Sequence, residues 1–192
     1  MINLRNDIFL FENILKDDFI NKLILLRKNS NHFDRINLTG NNIALLYEFD
    51  KLWMELVEPV IMQEYLQIYD LANGIGINAS EDTVKQIKEH CKTIWRDLFI
   101  LNYNFENSKD CDKRVHWDFS GLTGVAALNS DYVGGELCFP RHDLCIKLNK
   151  GDLIIFPGGL THPHFVTPTT KGIRDVIVGQ SLTITQYHKI EY

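Results

Sequence analysis

Hydrophobic positions follow a helical spacing in the first half of the chain. Apolar side chains recur three and four positions apart across residues 45–60, which predicts an amphipathic helix that Pro59 breaks or kinks. A second helix is predicted over residues 17–28, because its first turn is acidic and its last turn is basic, as the helix dipole favours. A third is predicted from Ser80, a capping residue, to about His90. The first half is therefore expected to form a helical layer.

From about residue 93 the pattern changes to short apolar segments separated by turns. Nine of the twelve glycines fall between Gly121 and Gly179, and four of the five prolines lie at or after Pro140. Polar residues 104–114 predict a loop. Short apolar segments between turn residues are typical of antiparallel strands, which are predicted at residues 98–103, 123–128, 137–139, 144–148, 152–156, 164–166 and 174–184. The expected fold class is α+β, with a mainly β core supported by N-terminal helices.

The composition favours one folded domain that does not span a membrane. The 192 residues are 45% hydrophobic and 11% aromatic, which is enough for a sizeable core in a single domain over residues 1–192. Within it we expect residues 1–92 to be a helical support region and residues 93–192 to be the β core. The apolar runs reach only four residues, whereas a membrane span requires roughly 18.

Charge and cysteine content bear on partners and location. The 20 basic and 25 acidic residues give a net charge of −5, and no basic cluster is longer than Arg27-Lys28, so neither nucleic acid nor a membrane is an expected partner. Residues 1–12 lack the features of a secretory signal. Four cysteines without CxxC spacing are interpreted as free thiols in a reducing compartment; they are Cys91, Cys111, Cys138 and Cys145. A cytoplasmic location is expected, with a virion or another compartment left open.

Two histidine-rich segments are candidates for a metal site. His116 and Asp118 are two positions apart, so on a strand their side chains point to the same face. They would supply two of the three ligands of the two-histidine, one-carboxylate triad that binds Fe(II) and leaves positions open. An ordinary surface ion pair is the competing interpretation. The third ligand would come from a distant segment that offers both His162 and His164, and strand spacing does not choose between them. Arg174, in a predicted strand, would be costly to bury unless it pairs with an anion such as a carboxylate.

The region from residue 116 to residue 181 resembles a known catalytic core. Its motifs, in order, are HWDFS at 116–120, ALN at 127–129, DYVGG at 131–135, Arg141 with Asp143, PGGLTHPH at 157–164 and PTTKGIR at 168–174. They are similar to those of the Fe(II)/2-oxoglutarate-dependent dioxygenases of the prolyl/lysyl hydroxylase group, and most closely to the C-terminal domain of the procollagen-lysine hydroxylases. The resemblance implies a double-stranded β-helix, the jelly-roll or cupin type of barrel, buttressed by N-terminal helices.

The same resemblance implies roles for individual residues. In this family the distal histidine precedes the cosubstrate-binding basic residue by ten positions; His164 precedes Arg174 by ten and His162 by twelve. The implied metal ligands are therefore His116, Asp118 and His164. Arg174 would bind the far carboxylate of 2-oxoglutarate, and it is counted with the three ligands as catalytic. Tyr103 and Thr123 match positions that line the 2-oxoglutarate pocket in related enzymes.

The implied cofactor is Fe(II), with 2-oxoglutarate and O2 as cosubstrates, while a requirement for ascorbate is left open. Two positions depart from the lysine hydroxylases: Asp175 stands where they have an aromatic residue, and Gly179 stands where they have a larger one. Neither departure removes an implied ligand. They bear on specificity more than on the chemistry.

The activity implied is hydroxylation of an amino-acid side chain, coupled to oxidative decarboxylation of 2-oxoglutarate to succinate and CO2. A lysyl residue of a polypeptide is the first substrate hypothesis, which makes a peptide or protein the expected partner. The alternatives are a prolyl residue in a peptide, and a small molecule or free amino acid. An alternative of another class is a non-catalytic binding module of the same fold. The oligomeric state is left open.

Overall fold

The structure is a computed structural model that describes residues 1–5, 7–29, 35–38, 42–57, 95–104 and 114–181. Among these residues, a pair of α-helices precedes most of the strands: α1 (Asp17–Asn29) and α2 (Ile43–Leu52). The strands are β1 (Ile2–Arg5), β2 (Ile8–Phe11), β3 (Arg35–Asn37), β4 (Trp95–Asn104), β5 (Leu122–Ala127), β6 (Val133–Gly134), β7 (Leu137–Phe139), β8 (Leu144–Ile146), β9 (Leu153–Pro157), β10 (Phe165–Val166), β11 (Thr169–Lys171) and β12 (Ile173–Ser181).

A seven-stranded antiparallel sheet is the main layer, in the order β1-β2-β9-β5-β12-β4-β3. Its strand β12 pairs with β4 on one side and with β5 on the other. β12 suits this interior position because most of its side chains are buried and its sequence includes β-branched residues. Opposite lie a three-stranded sheet, β10-β7-β8, and a two-stranded sheet, β11-β6.

Successive side chains along the strands of the main sheet lie alternately in two hydrophobic cores. On β12, Val176 and Val178 belong to the core that includes Phe139 of the smaller sheet, whereas Ile177 belongs to the core that the helices cover. The even-numbered positions of β12 therefore face the inside of a barrel, and the odd-numbered positions face the helical layer. This architecture is the predicted double-stranded β-helix with supporting helices.

The helices cover the outer face of the main sheet. α1 buries Phe19, Ile20 and Leu23 in the outer core, and its acidic first turn and basic last turn agree with the prediction. α2 starts close to the predicted residue 45 and continues into a π-helical turn, Trp53–Val57. The predicted helix over residues 80–90, the break at Pro59 and most of the 104–114 loop lie outside the described residues.

The N-terminal region also contributes strands, which the hydrophobic pattern did not predict. β2 pairs with β9, β1 extends the sheet beyond it, and β3 pairs with β4. All four residues of β2 are buried, so both of its faces are covered and its sequence shows no alternation. A continuous apolar run of four residues does not distinguish a strand from a helix.

The prediction of four free thiols is wrong for one pair. Cys138 on β7 and Cys145 on β8 are register partners and form a disulfide, with their Cα atoms 4.0 Å apart. The sequence offered only a separation of seven residues; the pairing of two strands across a tight connection is what brings the sulfurs together. The expectation of a reducing, cytoplasmic location therefore loses the support of these two residues.

Within the described residues, neither helix has the length and apolar character needed to cross a lipid bilayer.

Candidate active site

Two distant segments meet at a pair of histidines. The backbone N–H of His116 donates to the carbonyl of His164 at 2.9 Å, and the N–H of His164 donates to the carbonyl of His116 at 2.8 Å. This isolated antiparallel bridge holds the two imidazoles side by side, with ring centroids 4.5 Å apart. The sequence left His162 and His164 as alternatives on spacing alone, and the bridge sets His164 opposite His116.

Both imidazoles are oriented by a backbone carbonyl. Nδ1 of His116 donates to the carbonyl of Arg114 at 2.9 Å, and Nδ1 of His164 donates to the carbonyl of His162 at 3.0 Å. A carbonyl only accepts, so in each neutral ring the proton sits on Nδ1 and the ring's lone pair sits on Nε2. That tautomer is the one a metal-binding histidine needs, and a carbonyl partner for the second nitrogen is usual at metal sites.

Asp118 completes the group. One ligand atom from each of His116, Asp118 and His164 lies within 4.8 Å of the others. Oδ2 of Asp118 is 3.6 Å from Nε2 of His164, and the two side chains are 10% and 7% exposed. Two imidazole nitrogens and one carboxylate oxygen converging at this separation suit a divalent transition metal and leave one side of the site to other ligands.

Aromatic side chains form an apolar wall behind His164. Phe156 of β9 packs edge-on with its ring centroid 4.8 Å from that of His164, and Phe139 of β7 lies at 5.8 Å. Both phenylalanines are fully buried. His162 instead stacks on His142 at 4.4 Å, and its Nδ1 hydrogen-bonds with the hydroxyl of Thr161. His162 therefore lies in the loop that supports His164, to which it contributes its carbonyl.

Arg174 lies at a polar pocket on the inner face of β12. It is the register partner of Tyr103 on β4, and its guanidinium carbon sits 4.9 Å from the centre of the Tyr103 ring. The side chain is only 2% exposed, and its Nη1 has no hydrogen-bond partner among the described residues. A buried guanidinium nitrogen without an acceptor is costly. The pocket therefore fits an anionic ligand, and a carboxylate matches guanidinium geometry best.

Three further residues that the sequence analysis did not single out surround Arg174. Tyr132 is buried and interacts with the guanidinium; burial raises the pKa of Tyr132, and the charge of Arg174 partly opposes that rise. The buried hydroxyl of Thr169 likewise has no partner among the described residues. Gly135 has φ +69°, and a Cβ there would come 2.7 Å from Cδ of Arg174 and 3.2 Å from the Thr169 hydroxyl. A close approach that only glycine permits thus shapes this pocket.

These three residues lie within motifs of the sequence, but the motifs do not show which residues they contact. Tyr132 and Gly135 lie within the DYVGG motif, and Thr169 lies within PTTKGIR. Thr123, which the resemblance assigned to the 2-oxoglutarate pocket, donates its hydroxyl proton to Asp118 at 2.6 Å. Gln180 was not predicted at all, and it also donates to Asp118, at 2.9 Å.

The two residues that depart from the family pattern, Asp175 and Gly179, lie on the face of β12 opposite Arg174. Asp175 is buried on the outer face of β12, where it accepts a hydrogen bond from Asn102 at 2.5 Å and forms an ion pair with Arg27 of α1 at 3.2 Å. Burial raises the pKa of Asp175, while the Asn102 hydrogen bond and the Arg27 charge partly lower it. Gly179 shares this outer face with Asp175. Asp175 therefore anchors a helix to the sheet and does not line the Arg174 pocket.

Solved structures share this fold. The viral collagen prolyl hydroxylase vCPH from Paramecium Bursaria Chlorella virus-1 aligns with a TM-score of 0.58 at 16% identity, over 93% of this chain and 91% of that chain. NgTET1 in complex with 5mC DNA aligns with a TM-score of 0.53 at 14% identity, over 92% of this chain and 72% of that one. At these identities the likeness establishes the fold, a double-stranded β-helix, and the His-Asp-His group within it fits iron.

Sequence relatives are procollagen-lysine hydroxylases. The multifunctional procollagen lysine hydroxylase and glycosyltransferase LH3 of Rattus norvegicus is 37% identical over 93 residues, which are 46% of this chain and 12% of the relative. Procollagen-lysine,2-oxoglutarate 5-dioxygenase 1 of Gallus gallus is 28% identical over 147 residues, 74% of this chain and 17% of the relative. The matches thus span less than a fifth of these relatives. No protein-family model matches the sequence.

Proposed function

We propose that this protein is an Fe(II)- and 2-oxoglutarate-dependent oxygenase that hydroxylates an amino-acid side chain in a polypeptide. The observation that supports it best is the convergence of His116, Asp118 and His164 in a barrel whose inner face also carries a buried arginine with an unpaired nitrogen among the described residues. The first feature suits a metal ion and the second suits a carboxylate. These are the two kinds of group that a metal-chelating dicarboxylate requires.

In this proposal the chain's own residues bind and orient. Nε2 of His116, Nε2 of His164 and a carboxylate oxygen of Asp118 would hold the metal, and the carbonyls that accept from Nδ1 would keep both rings in the ligating tautomer. When bound there, iron would supply the oxidative chemistry, and the conversion of 2-oxoglutarate to succinate and CO2 would supply the electrons. The Phe139 and Phe156 wall would limit water beside the reacting atoms.

The far carboxylate of 2-oxoglutarate would bind at Arg174. The buried guanidinium provides the charge, while the hydroxyl of Thr169 offers a further donor. Tyr132 shares the pocket, and the ring of Tyr103 lies against the guanidinium. Because Arg174 is buried with its guanidinium over the Tyr103 ring before any ligand binds, little side-chain entropy remains to be lost on binding.

A polypeptide substrate is supported by exposed apolar residues that neighbour the metal ligands along the chain. Trp117 and Phe119 alternate with His116 and Asp118 along the chain; they are 45% and 81% exposed, with ring centroids 6.4 Å apart. Leu160, in the loop before His164, is 63% exposed. Exposed large apolar side chains grouped next to a site are typical of a binding surface. A lysyl target is our first choice because the sequence relatives are procollagen-lysine hydroxylases, and prolyl is the second.

Anaerobic spectroscopy tests the metal and cosubstrate sites directly. Fe(II) with 2-oxoglutarate should give the visible metal-to-ligand charge-transfer band in the wild type. The band should be lost in His164→Ala and retained in His162→Ala, which serves as the matched control. A band that survives His164→Ala but not His162→Ala would show that the ligand assignment is wrong. No band in the wild type would contradict the proposed function.

A peptide panel tests the substrate. Peptides of identical flanking sequence that carry lysine, proline or neither at one position are incubated with the enzyme, Fe(II), 2-oxoglutarate and O2, then analysed for a gain of one oxygen. Gain on the lysine peptide supports the lysyl assignment. Gain on the proline peptide alone replaces it with the prolyl one. A protein that gives the charge-transfer band but modifies no peptide would point to a small-molecule substrate.

A further inference from the structure

Asp118 stands out among the three clustered residues because both of its carboxylate oxygens are held by the main sheet. Its Oδ2 accepts the hydroxyl proton of Thr123 at 2.6 Å, and its Oδ1 accepts an amide proton of Gln180 at 2.9 Å. Thr123 on β5 and Gln180 on β12 are register partners, so the two donors stand side by side on the inner face of the barrel.

The backbone around Asp118 offers no comparable support. Asp118 lies outside the strands, in the irregular segment that leads from His116 to β5. A carboxylate on such a segment would sample several rotamers, whereas donors on two paired strands inside the sheet have little freedom. The position of the carboxylate is therefore set by the sheet rather than by its own segment.

The hydrogen bonds that lead to Oδ2 of Asp118 all run in one direction. The hydroxyl of Ser120 is 2.9 Å from that of Thr123, and because Thr123 gives its proton to Asp118, Ser120 donates to Thr123. The chain of donors thus runs from Ser120 through Thr123 to Oδ2. Hydrogen bonds that end on a carboxylate are short and strong, and the 2.6 Å distance between Thr123 and Oδ2 agrees with this.

Each oxygen accepts one hydrogen bond and keeps a lone pair, so the two oxygens differ in position and not in capacity. Oδ2 is the oxygen 3.6 Å from Nε2 of His164, and it retains a lone pair after accepting from Thr123. Oδ1 is engaged by the amide of Gln180. A carboxylate held in this way presents one oxygen, not two, to the space between the histidines.

We propose that Thr123 and Gln180 are positioning residues that lock Asp118 as a one-oxygen metal ligand through Oδ2. This inference rests on the proposed function, since it assigns a role toward the metal that the cluster would bind. It extends that function because neither residue touches the metal in this arrangement. It also gives Thr123 a role other than the 2-oxoglutarate contact that the family resemblance implied.

The test measures binding of Mn(II) alone, without 2-oxoglutarate or turnover, by the loss of the free Mn(II) electron paramagnetic resonance signal. Thr123→Val keeps the side-chain shape and removes the donor, and Gln180→Leu does the same on the other oxygen. Each should weaken Mn(II) binding about 10- to 100-fold, the range found when a residue that orients a metal ligand is removed. Thr123→Ser keeps the hydroxyl, and its Mn(II) affinity should stay within about threefold of that of the wild type.

Three comparisons separate the possible failures. If the wild type does not bind Mn(II), the proposed function itself fails. If the wild type binds and both Thr123→Val and Gln180→Leu bind equally well, the metal site stands and the positioning role is overturned. If Thr123→Val proves unstable by circular dichroism, Gln180→Leu decides, because Gln180 is only partly buried and its substitution leaves the fully buried Thr123 in place.

A second readout distinguishes positioning from a general structural effect. At saturating Mn(II) the affinity of Thr123→Val for 2-oxoglutarate should equal that of the wild type, because Arg174 and its pocket are untouched. The double variant should lose less than the product of the two single losses, since both donors act on one carboxylate. A matching loss of 2-oxoglutarate affinity would overturn the inference in favour of general disruption.

Discussion

Replacing Gly158 with alanine is expected to lower stability and metal affinity together. Gly158 is buried just after β9, and its N–H donates to the carbonyl of Gly121 at 3.1 Å. A Cβ at this position would overlap the hydroxyl and carbonyl oxygens of Ser120 and come 2.8 Å from its carbonyl carbon. Because the carbonyl oxygen and carbon of Ser120 belong to the backbone, rotating the Ser120 side chain cannot relieve the overlap.

The size of the effect follows from these contacts. Forcing one extra methyl group into a filled site costs about 1–3 kcal/mol in the free energy of unfolding. Displacement of Ser120 also disturbs the donor chain through Thr123 to Asp118. The second effect should weaken Mn(II) binding by about tenfold or more, as other losses of support to a metal ligand do.

The neighbouring residue provides a matched control. A Cβ on Gly159 would have nothing within 4 Å. Gly159→Ala should therefore change the free energy of unfolding by no more than about 0.5 kcal/mol. Urea unfolding of the two variants, followed by Mn(II) titration, measures both effects. Equal unfolding midpoints and equal Mn(II) affinities for the two variants would refute the reasoning.

Three further predictions concern Arg174, Asp175 and the disulfide. Arg174→Gln should weaken 2-oxoglutarate binding about 10- to 100-fold in calorimetric titration at saturating Mn(II), because a hydrogen-bonded charge is worth about 1.5–3 kcal/mol; unchanged affinity would place the cosubstrate elsewhere. Burial raises the pKa of Asp175, so the folded state binds the carboxyl proton more tightly than the unfolded state does. The contribution of Asp175 to the free energy of unfolding is therefore present at low pH and is lost as pH rises through the raised pKa of the folded state. The unfolding free energy of the wild type relative to Asp175→Asn should accordingly decline in urea titrations from about pH 4 upward, and a flat or rising difference would contradict the burial effect. Reduction should lower the unfolding free energy by roughly 2–3 kcal/mol, given a loop closed over seven residues, whereas Cys145→Ser should not respond to reductant; an insensitive wild type would mean that the disulfide does not form.

Much of the architecture could be predicted from the chain because it depends on local properties. The helix α1 follows from an apolar stripe with acidic and basic ends, and those features act within a few residues. The strands β5, β7, β9 and β12 follow from short apolar segments between turn residues. The spacing of His116 and Asp118, with Arg174 ten residues after His164, is likewise a property of the sequence alone.

Other features depend on which segments lie side by side, and local pattern holds no information on that. β1, β2 and β3 are strands because they find partners toward the edges of the main sheet. The disulfide exists because β7 and β8 pair in one register. A short apolar segment can form a helix or a strand, and a cysteine can be free or bonded. In each case here, the pairing of distant segments decided between the alternatives.

The candidate site divides in the same way. The sequence by itself determined the kinds of group available: the His116 imidazole, two candidates for a second imidazole, a carboxylate and an arginine on a predicted strand. Only the tertiary structure decided that His164 bridges to His116, that Thr123 and Gln180 hold Asp118, and that Tyr132 and Thr169 surround Arg174. The physical reason is that side-chain chemistry is a property of single residues, whereas orientation and desolvation come from neighbours brought together by the sheet.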